Sequence, residues 1–267
     1  LPIAEIDTDT DTNRPVHTML VLDLTSTVSE TEFLNMRNAA VDFINTLNIE
    51  DQVGVIGAYA DRADVLQPLS LDHNAAVNAM FAAEVSPAGG QDGNVFNDGL
   101  YIALESINTT APDVRPTVIA FTDVTSGTIG GERPLEDVQM LAEQRSAEIH
   151  ILYFETENNE GLPVRDAPPD TLAALALETG GLLLQSPGEQ NPDLPGDYND
   201  DAQLSVLAQQ VADILAFEYR LEVQSPIPGD NDIYGLGLVV EQDDINLVSE
   251  DVFFRARTGI VDIAFDA

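Results

Sequence analysis

Apolar residues in this chain fall into short unbroken blocks, separated by segments where they recur every three or four positions. His17–Leu24 (HTMLVLDL), Gln52–Ala60 (QVGVIGAYA) and Pro116–Asp123 (PTVIAFTD) are near-continuous apolar runs, the pattern of strands buried on both faces of a parallel sheet. Ile149–Phe154 and Leu182–Leu184 are shorter runs of the same kind. Between the first two runs, Phe33, Met36, Ala40, Phe43 and Leu47 form one apolar face of a helix. Ser29 and Glu32 supply an S-x-x-E capping box to start it. The same spacing predicts helices over His73–Glu84, Val95–Ile107, Leu135–Ala147 and Asp170–Thr179, the last stopped by Gly180-Gly181. A further long helix carries Leu204, Leu207, Val211 and Ile214. Asp64–Ser70 follows the second strand closely enough to make a hairpin at a sheet edge. Strands alternating with helices predict an α/β fold, a doubly wound, mostly parallel sheet flanked by helices.

The two ends of the chain read differently. Residues 1–16 are polar, with Asp7, Asp9 and Asp11 alternating with threonines, and are expected to form an extended acidic leader. A calcium loop would need glycine at its sixth position, where Thr12 stands. At the other end Tyr219–Gln224, Gly235–Gln242 and Phe253–Thr258 read as strands with no helix between them. The expected organisation is a leader over 1–16, an α/β domain over 17–226 and a β-strand extension over 227–267 packing on or next to that domain.

Charge narrows the partners. The 267 residues include 47 acidic against 10 basic, for a formal net charge of −37, and every basic residue is arginine. Such a surface repels nucleic acid and anionic membranes. It suits a salt-adapted or an extracellular setting. The lack of lysine excludes a P-loop and Schiff-base chemistry. The lack of cysteine excludes thiol catalysis, thiolate metal sites and disulfides. His17, His73 and His150 lie far apart, and structural roles are expected for His17 and His150. No apolar run approaches membrane-span length, so direct membrane insertion is not expected.

Candidate chemistry concentrates where the first strand ends. Asp23 follows an apolar run, and Thr25 and Thr27 alternate with Leu24 and Ser26, so three oxygen-bearing side chains can converge on one point. Hard cations such as Mg²⁺ take oxygen ligands of this kind. The competing reading is a strand ending in a polar turn, with Thr25 or Ser29 capping the next helix. Pro116–Asp123 is built in the same way, an apolar strand ending in an acid. Both acids are expected on adjacent loops at one edge of the sheet, where α/β folds place ligands, with Asp23 at a solvent-facing loop.

The stretch Asp23-Leu-Thr25-Ser-Thr27 resembles the D-x-S-x-S motif of von Willebrand factor type A domains, and Thr122-Asp123-Val124 resembles their T-D-G. The Gly pair before the central helix, Leu172 to Gly181, and Leu215 to Leu221 are further matches. The resemblance covers about residues 17 to 226. It implies a metal-ion-dependent adhesion site, with Thr25 and Thr27 as direct ligands and Asp23 and Asp123 mainly through water. The third loop would contribute Asn94, with Asp92 as the alternative. Mg²⁺ is the implied ion, with Mn²⁺ or Ca²⁺ in its place. Loops around Ser26, Gln91, Asp92 and Val124 would meet a protein or surface ligand presenting a carboxylate. The implied role is an extracellular or cell-surface adhesion module and not an enzyme.

The chain departs from the family pattern in three places. Thr replaces Ser twice, the loop threonine is missing, and Val124 stands where glycine is usual. The alternative is therefore a metal-free structural or interaction module with a degenerate site. A Mg²⁺-dependent phosphatase would need a second acid at Thr25 and normally a lysine, and it is the least favoured reading.

Overall fold

The computed structural model describes residues 14–86, 95–107, 114–124, 130–154, 168–185 and 201–216, without the side chains of 201–203, plus the backbone of several short strands named below. Two compact units result: residues 14–216, and residues 1–13 together with 217–267.

The larger unit is built on six strands: β1 (Val16–Asp23), β2 (Gln52–Ala58), β3 (Ala63–Ser70), β4 (Arg115–Thr122), β5 (Glu148–Tyr153) and β6 (Leu183–Gln185). Their order across the sheet is β3-β2-β1-β4-β5-β6. All neighbours are parallel except β2 and β3, the expected edge hairpin. The register of β2 on β3 slips at Val53, Val55 and Ile56. Pro68 lies in β3, where an edge position tolerates its missing N–H.

Six helices cover the sheet: α1 (Glu30–Thr46), α2 (His73–Ala82), α3 (Phe96–Ser106), α4 (Leu135–Arg145), α5 (Asp170–Glu178) and α6 (Asp201–Ala216). Period-two alternation in the buried strands feeds two cores at once. Leu20, Leu22 and Phe121 pack with Phe33, Met36 and Phe43 of α1 and Leu204 and Val211 of α6. Met19, Val21, Val118 and Ala120 turn the other way onto Phe96, Leu100 and Leu104 of α3, Val138 of α4 and Leu172 of α5. This explains why the strands read as unbroken apolar runs. The capping box forms as expected: the Glu32 N–H donates to Ser29 Oγ at 3.2 Å, and the Ser29 N–H donates to Glu32 Oε2 at 2.6 Å. Gly180 ends α5 with φ +80, a left-handed turn that favours glycine.

The base of the sheet is tied by a buried arginine. Arg115 donates twice to Glu148, at 3.0 and 2.8 Å, and once to the Ile214 carbonyl near the end of α6. Burial alone would push the Glu148 carboxyl up, but hydrogen bonds from His150 and Arg115 outweigh it and hold that carboxyl below its ordinary range. His17 and His150 are both buried.

In the other unit Glu5–Ile6, within the segment expected as a leader, pairs antiparallel with Tyr219–Glu222, which pairs in turn with Ile263–Phe265. Ile233–Leu236 pairs with Val252–Arg255, and Val239–Gln242 with Ile245–Val248. The single strand expected over Gly235–Gln242 is therefore two strands, with Gly237 between them in the chain. Residues 217–226, expected within the α/β domain, cluster with this unit.

Candidate functional site

β1 and β4 run side by side in register, Leu22 opposite Phe121, so both leave the sheet at the same edge. Asp23 and Asp123 therefore arrive together. A chain of hydrogen bonds joins them. Thr25 Oγ1 donates to Asp23 Oδ1 at 2.7 Å, Thr25 and Thr27 hydroxyls meet at 2.9 Å, and Thr27 Oγ1 donates to Asp123 Oδ1 at 3.3 Å. The backbone N–H of Thr25 also donates to Asp23 Oδ1, at 3.2 Å. On the other side Thr122 Oγ1 donates to Asp23 Oδ2 at 2.8 Å and accepts the Val124 N–H at 3.0 Å.

Asp23 is not at the solvent-facing position expected of it. Asp23 is fully buried and Asp123 nearly so. The strand ends lie beneath the turn Thr25-Ser26-Thr27, in which only Thr27 is exposed and Ser26 is half-buried. Asp123 Oδ2 is buried without a hydrogen-bond partner among the described residues. Burial first, then the charges of Asp23 and Glu32, push the Asp123 carboxyl up to about 8 from 3.8, against hydrogen bonds that lower it. Glu32, the capping acid of α1, is thus a third buried carboxylate near the site.

Val124 does not need glycine's freedom. Its side chain is buried in the α3 face of the core, and Ser146 is the one non-glycine with positive φ among the described residues. Gln91, Asp92 and Asn94 lie outside the described residues, so the third loop's ligand remains an expectation. Thr25 and Ser29 do not compete for the next helix: Ser29 caps it, which leaves Thr25 to Asp23.

Three further side chains matter here. Thr122 belongs to the T-D motif, and it also anchors Asp23 directly. Parallel register signals this role, because Thr122 follows Phe121 on the strand beside β1. Glu32 is both the cap of α1 and a charge near the site. Asp98, in the first turn of α3, accepts the N–H groups of Glu132 and Arg133, and no local pattern announces such a contact.

The donor set fits a small hard cation: three hydroxyls and two carboxylates, one of whose oxygens, Asp123 Oδ2, has no hydrogen-bond partner among the described residues. No group of three His, Asp or Glu side chains in metal-binding geometry occurs among the described residues. Hydroxyls, not a carboxylate cage, would have to supply the inner ligands.

No protein-family model matches the chain, and no curated protein matches it in sequence. Solved structures do. A von Willebrand factor type A protein from Catenulispora acidiphila aligns with TM-score 0.59 at 15% identity, over 91% of this chain and 66% of its own. The VWA domain of SpRpn10 aligns with TM-score 0.50 at 16% identity, over 73% of this chain and 94% of its own. The pilus adhesin SpaC from Lactobacillus rhamnosus GG, in its open conformation, aligns with TM-score 0.55 at 11% identity, over 94% of this chain but 43% of its own. The six-stranded, mostly parallel sheet with helices on both faces is the von Willebrand factor type A fold. Among the described residues no helix is long and apolar enough to cross a membrane.

Proposed function

We propose that the protein is a binding module that holds a divalent cation at Asp23, Thr25, Thr27 and Asp123 and captures a partner's carboxylate through it. The supporting observation is the orphaned Asp123 Oδ2, buried beside a second buried acid. Buried charge without a counter-charge is costly, and a cation at this point would turn the cost into an attraction. Thr25 and Thr27 would offer neutral oxygens. Asp23 orients Thr25 by accepting its hydroxyl's hydrogen bond, and Thr122 holds Asp23 in turn. Asn94 or Asp92 would complete the set from the third loop.

Mg²⁺ is the proposed ion, with Mn²⁺ or Ca²⁺ as substitutes. When bound, it would supply positive charge and an exchangeable position for a carboxylate oxygen. The described residues of the site include no histidine, lysine or activated nucleophile, which supports binding over turnover. A protein or surface ligand suits such a site, nucleic acid does not, and a secreted or cell-surface setting agrees with the acidic composition and with the fold's likeness to a pilus adhesin.

Titration calorimetry with MgCl₂, MnCl₂ and CaCl₂ tests the reading, on the wild type, Asp23→Ala and Thr25→Val. The wild type is expected to bind at least one ion, and both variants to lose that binding while keeping wild-type circular dichroism. A wild type that gives no binding heat with any of the three leaves the metal-free interaction module as the better reading. Wild-type affinity retained in Asp23→Ala refutes the ligand assignment.

A further inference from the structure

We propose that Asp98 is a positioning residue of this site. Its carboxylate latches the segment returning from the Asp123 strand onto the first turn of α3. The inference rests on the metal-binding reading above and adds to it a residue outside the proposed ligand set.

Asp98 accepts the Glu132 N–H at 2.9 Å on Oδ2 and the Arg133 N–H at 2.8 Å on Oδ1. Asn97 completes the latch from the next position. Its backbone N–H donates to the Gly130 carbonyl at 3.1 Å, and its Nδ2 donates to the Arg133 carbonyl at 3.2 Å. The Arg133 guanidinium then lies 4.4 Å over the Tyr101 ring, one turn along α3. Carboxylate-to-amide bonds of this kind are charge-assisted and stronger than neutral ones, and an acid in the first helical turn is favoured by the helix dipole.

Two features tie the latch to the site. Gly131 passes the carboxylate at φ +147, and a Cβ there would fall 2.9 Å from Asp98 Oδ2. A side chain at 131 would be strained at that φ and would have to displace the Asp98 carboxylate from its position. The second feature is the path of the chain. Val124 is pinned to Thr122 and Thr122 to Asp23, while Gly130 is pinned to Asn97. In the chain only five residues separate Val124, held at the carboxylate pair, from Gly130, held on α3. The N–H of Val95, at the start of α3, is itself held by the Tyr59 carbonyl at 3.3 Å, and Val95 directly follows Asn94 in the chain. The first turn of α3 therefore holds Gly130 to Arg133, the described residues that follow the Asp123 strand. Groups held in place before an ion arrives lower the cost that binding must otherwise meet.

The test compares the full chain as wild type, Asp98→Ala, Asp98→Asn and Gly131→Ala. In chelator, the amides of Glu132 and Arg133 are expected to exchange at least about tenfold faster in Asp98→Ala, while those of β1 and β4 keep their protection. In MgCl₂ titrations at a temperature where all variants are folded, Asp98→Ala and Gly131→Ala are expected to bind about tenfold more weakly. Asp98→Asn, which keeps one acceptor oxygen, should recover part of the loss. A merely structural tie would lower the melting temperature and leave the affinity alone. Unchanged affinity in Asp98→Ala, beside a wild type that binds, overturns the positioning role only. Slow exchange retained at Glu132 and Arg133 in Asp98→Ala overturns the latch itself. A wild type that binds no divalent ion overturns the metal reading and the positioning role with it.

Discussion

Replacing Asp123 by asparagine should make the metal-free protein more stable, which is the opposite of what removing a well-placed buried acid normally does. The carboxyl is nearly buried, accepts one long hydrogen bond from Thr27, and faces the charges of Asp23 and Glu32. Its pKa rises from 3.8 to about 8, so between those values the folded state holds a proton that the unfolded chain has released. A raised folded-state pKa means that this group's cost is absent below pH 3.8 and accumulates as pH climbs toward 8. Integrated to pH 7, that cost is on the order of 4 kcal/mol, taken as a ceiling. Asparagine does not titrate, but its amide must be accommodated where one oxygen had no partner, which returns about 1–3 kcal/mol. The net expectation is a gain of about 2 kcal/mol, or roughly 4–8 °C for a domain near 200 residues. Thermal denaturation in chelator at pH 7.5 and at pH 4 measures it, the gain appearing at the first and shrinking at the second. With MgCl₂ at matched ionic strength the order should reverse, because ligand at about 100 times its Kd stabilises the wild type by about 2.7 kcal/mol. An Asp123→Asn variant less stable than wild type in chelator at pH 7.5 would show that the acid is already compensated. An equal Mg²⁺ shift in both proteins would show that Asp123 has no part in binding.

Arg115→Ala should cost about 1.5–3 kcal/mol, because it removes two charge-assisted hydrogen bonds from the half-buried Glu148 carboxylate; urea denaturation at pH 7 measures it, and a loss under about 1 kcal/mol refutes the tie at the sheet's base. The Glu148 carboxyl is depressed, so its contribution is present above pH 4.5 and lost as pH falls through the lower folded value; the wild type should therefore lose stability relative to Glu148→Gln in that acidic window. Ser29→Ala should cost about 0.5–2 kcal/mol through the lost cap, read as a lower denaturant midpoint with an unchanged slope. The melting temperature should rise between 0.01 M and 1 M NaCl as the Debye length falls from about 30 to about 3 Å and relieves repulsion within a net charge of −37; a flat profile would remove salt adaptation as the explanation of the acidic surface.

Local pattern was enough to specify the elements of the α/β unit. Apolar runs marked its strands, three-and-four spacing its helices, and Ser29 with Glu32 the start of α1, because these depend on residues near in sequence. The motif at Asp23, Thr25 and Thr27 was legible because its residues are near in sequence, although a turn at Thr25-Ser26-Thr27, and not strand alternation, brings their oxygens together. The short strands after residue 218 were less legible, since antiparallel pairing depends on partners distant in the chain, and Glu5–Ile6 finds its partner at Tyr219–Glu222. That Asp23 and Asp123 share one sheet edge was expected from the two acid-ended strands, but only the tertiary structure decided the register that joins β1 and β4. It also decided that both acids are buried, that Thr122 holds Asp23, and that Glu32 adds a third charge. These are consequences of packing a helix and a neighbouring strand over the loop. Electrostatic cost depends on which charges share a low-dielectric volume, and the order of residues along a chain does not carry that information.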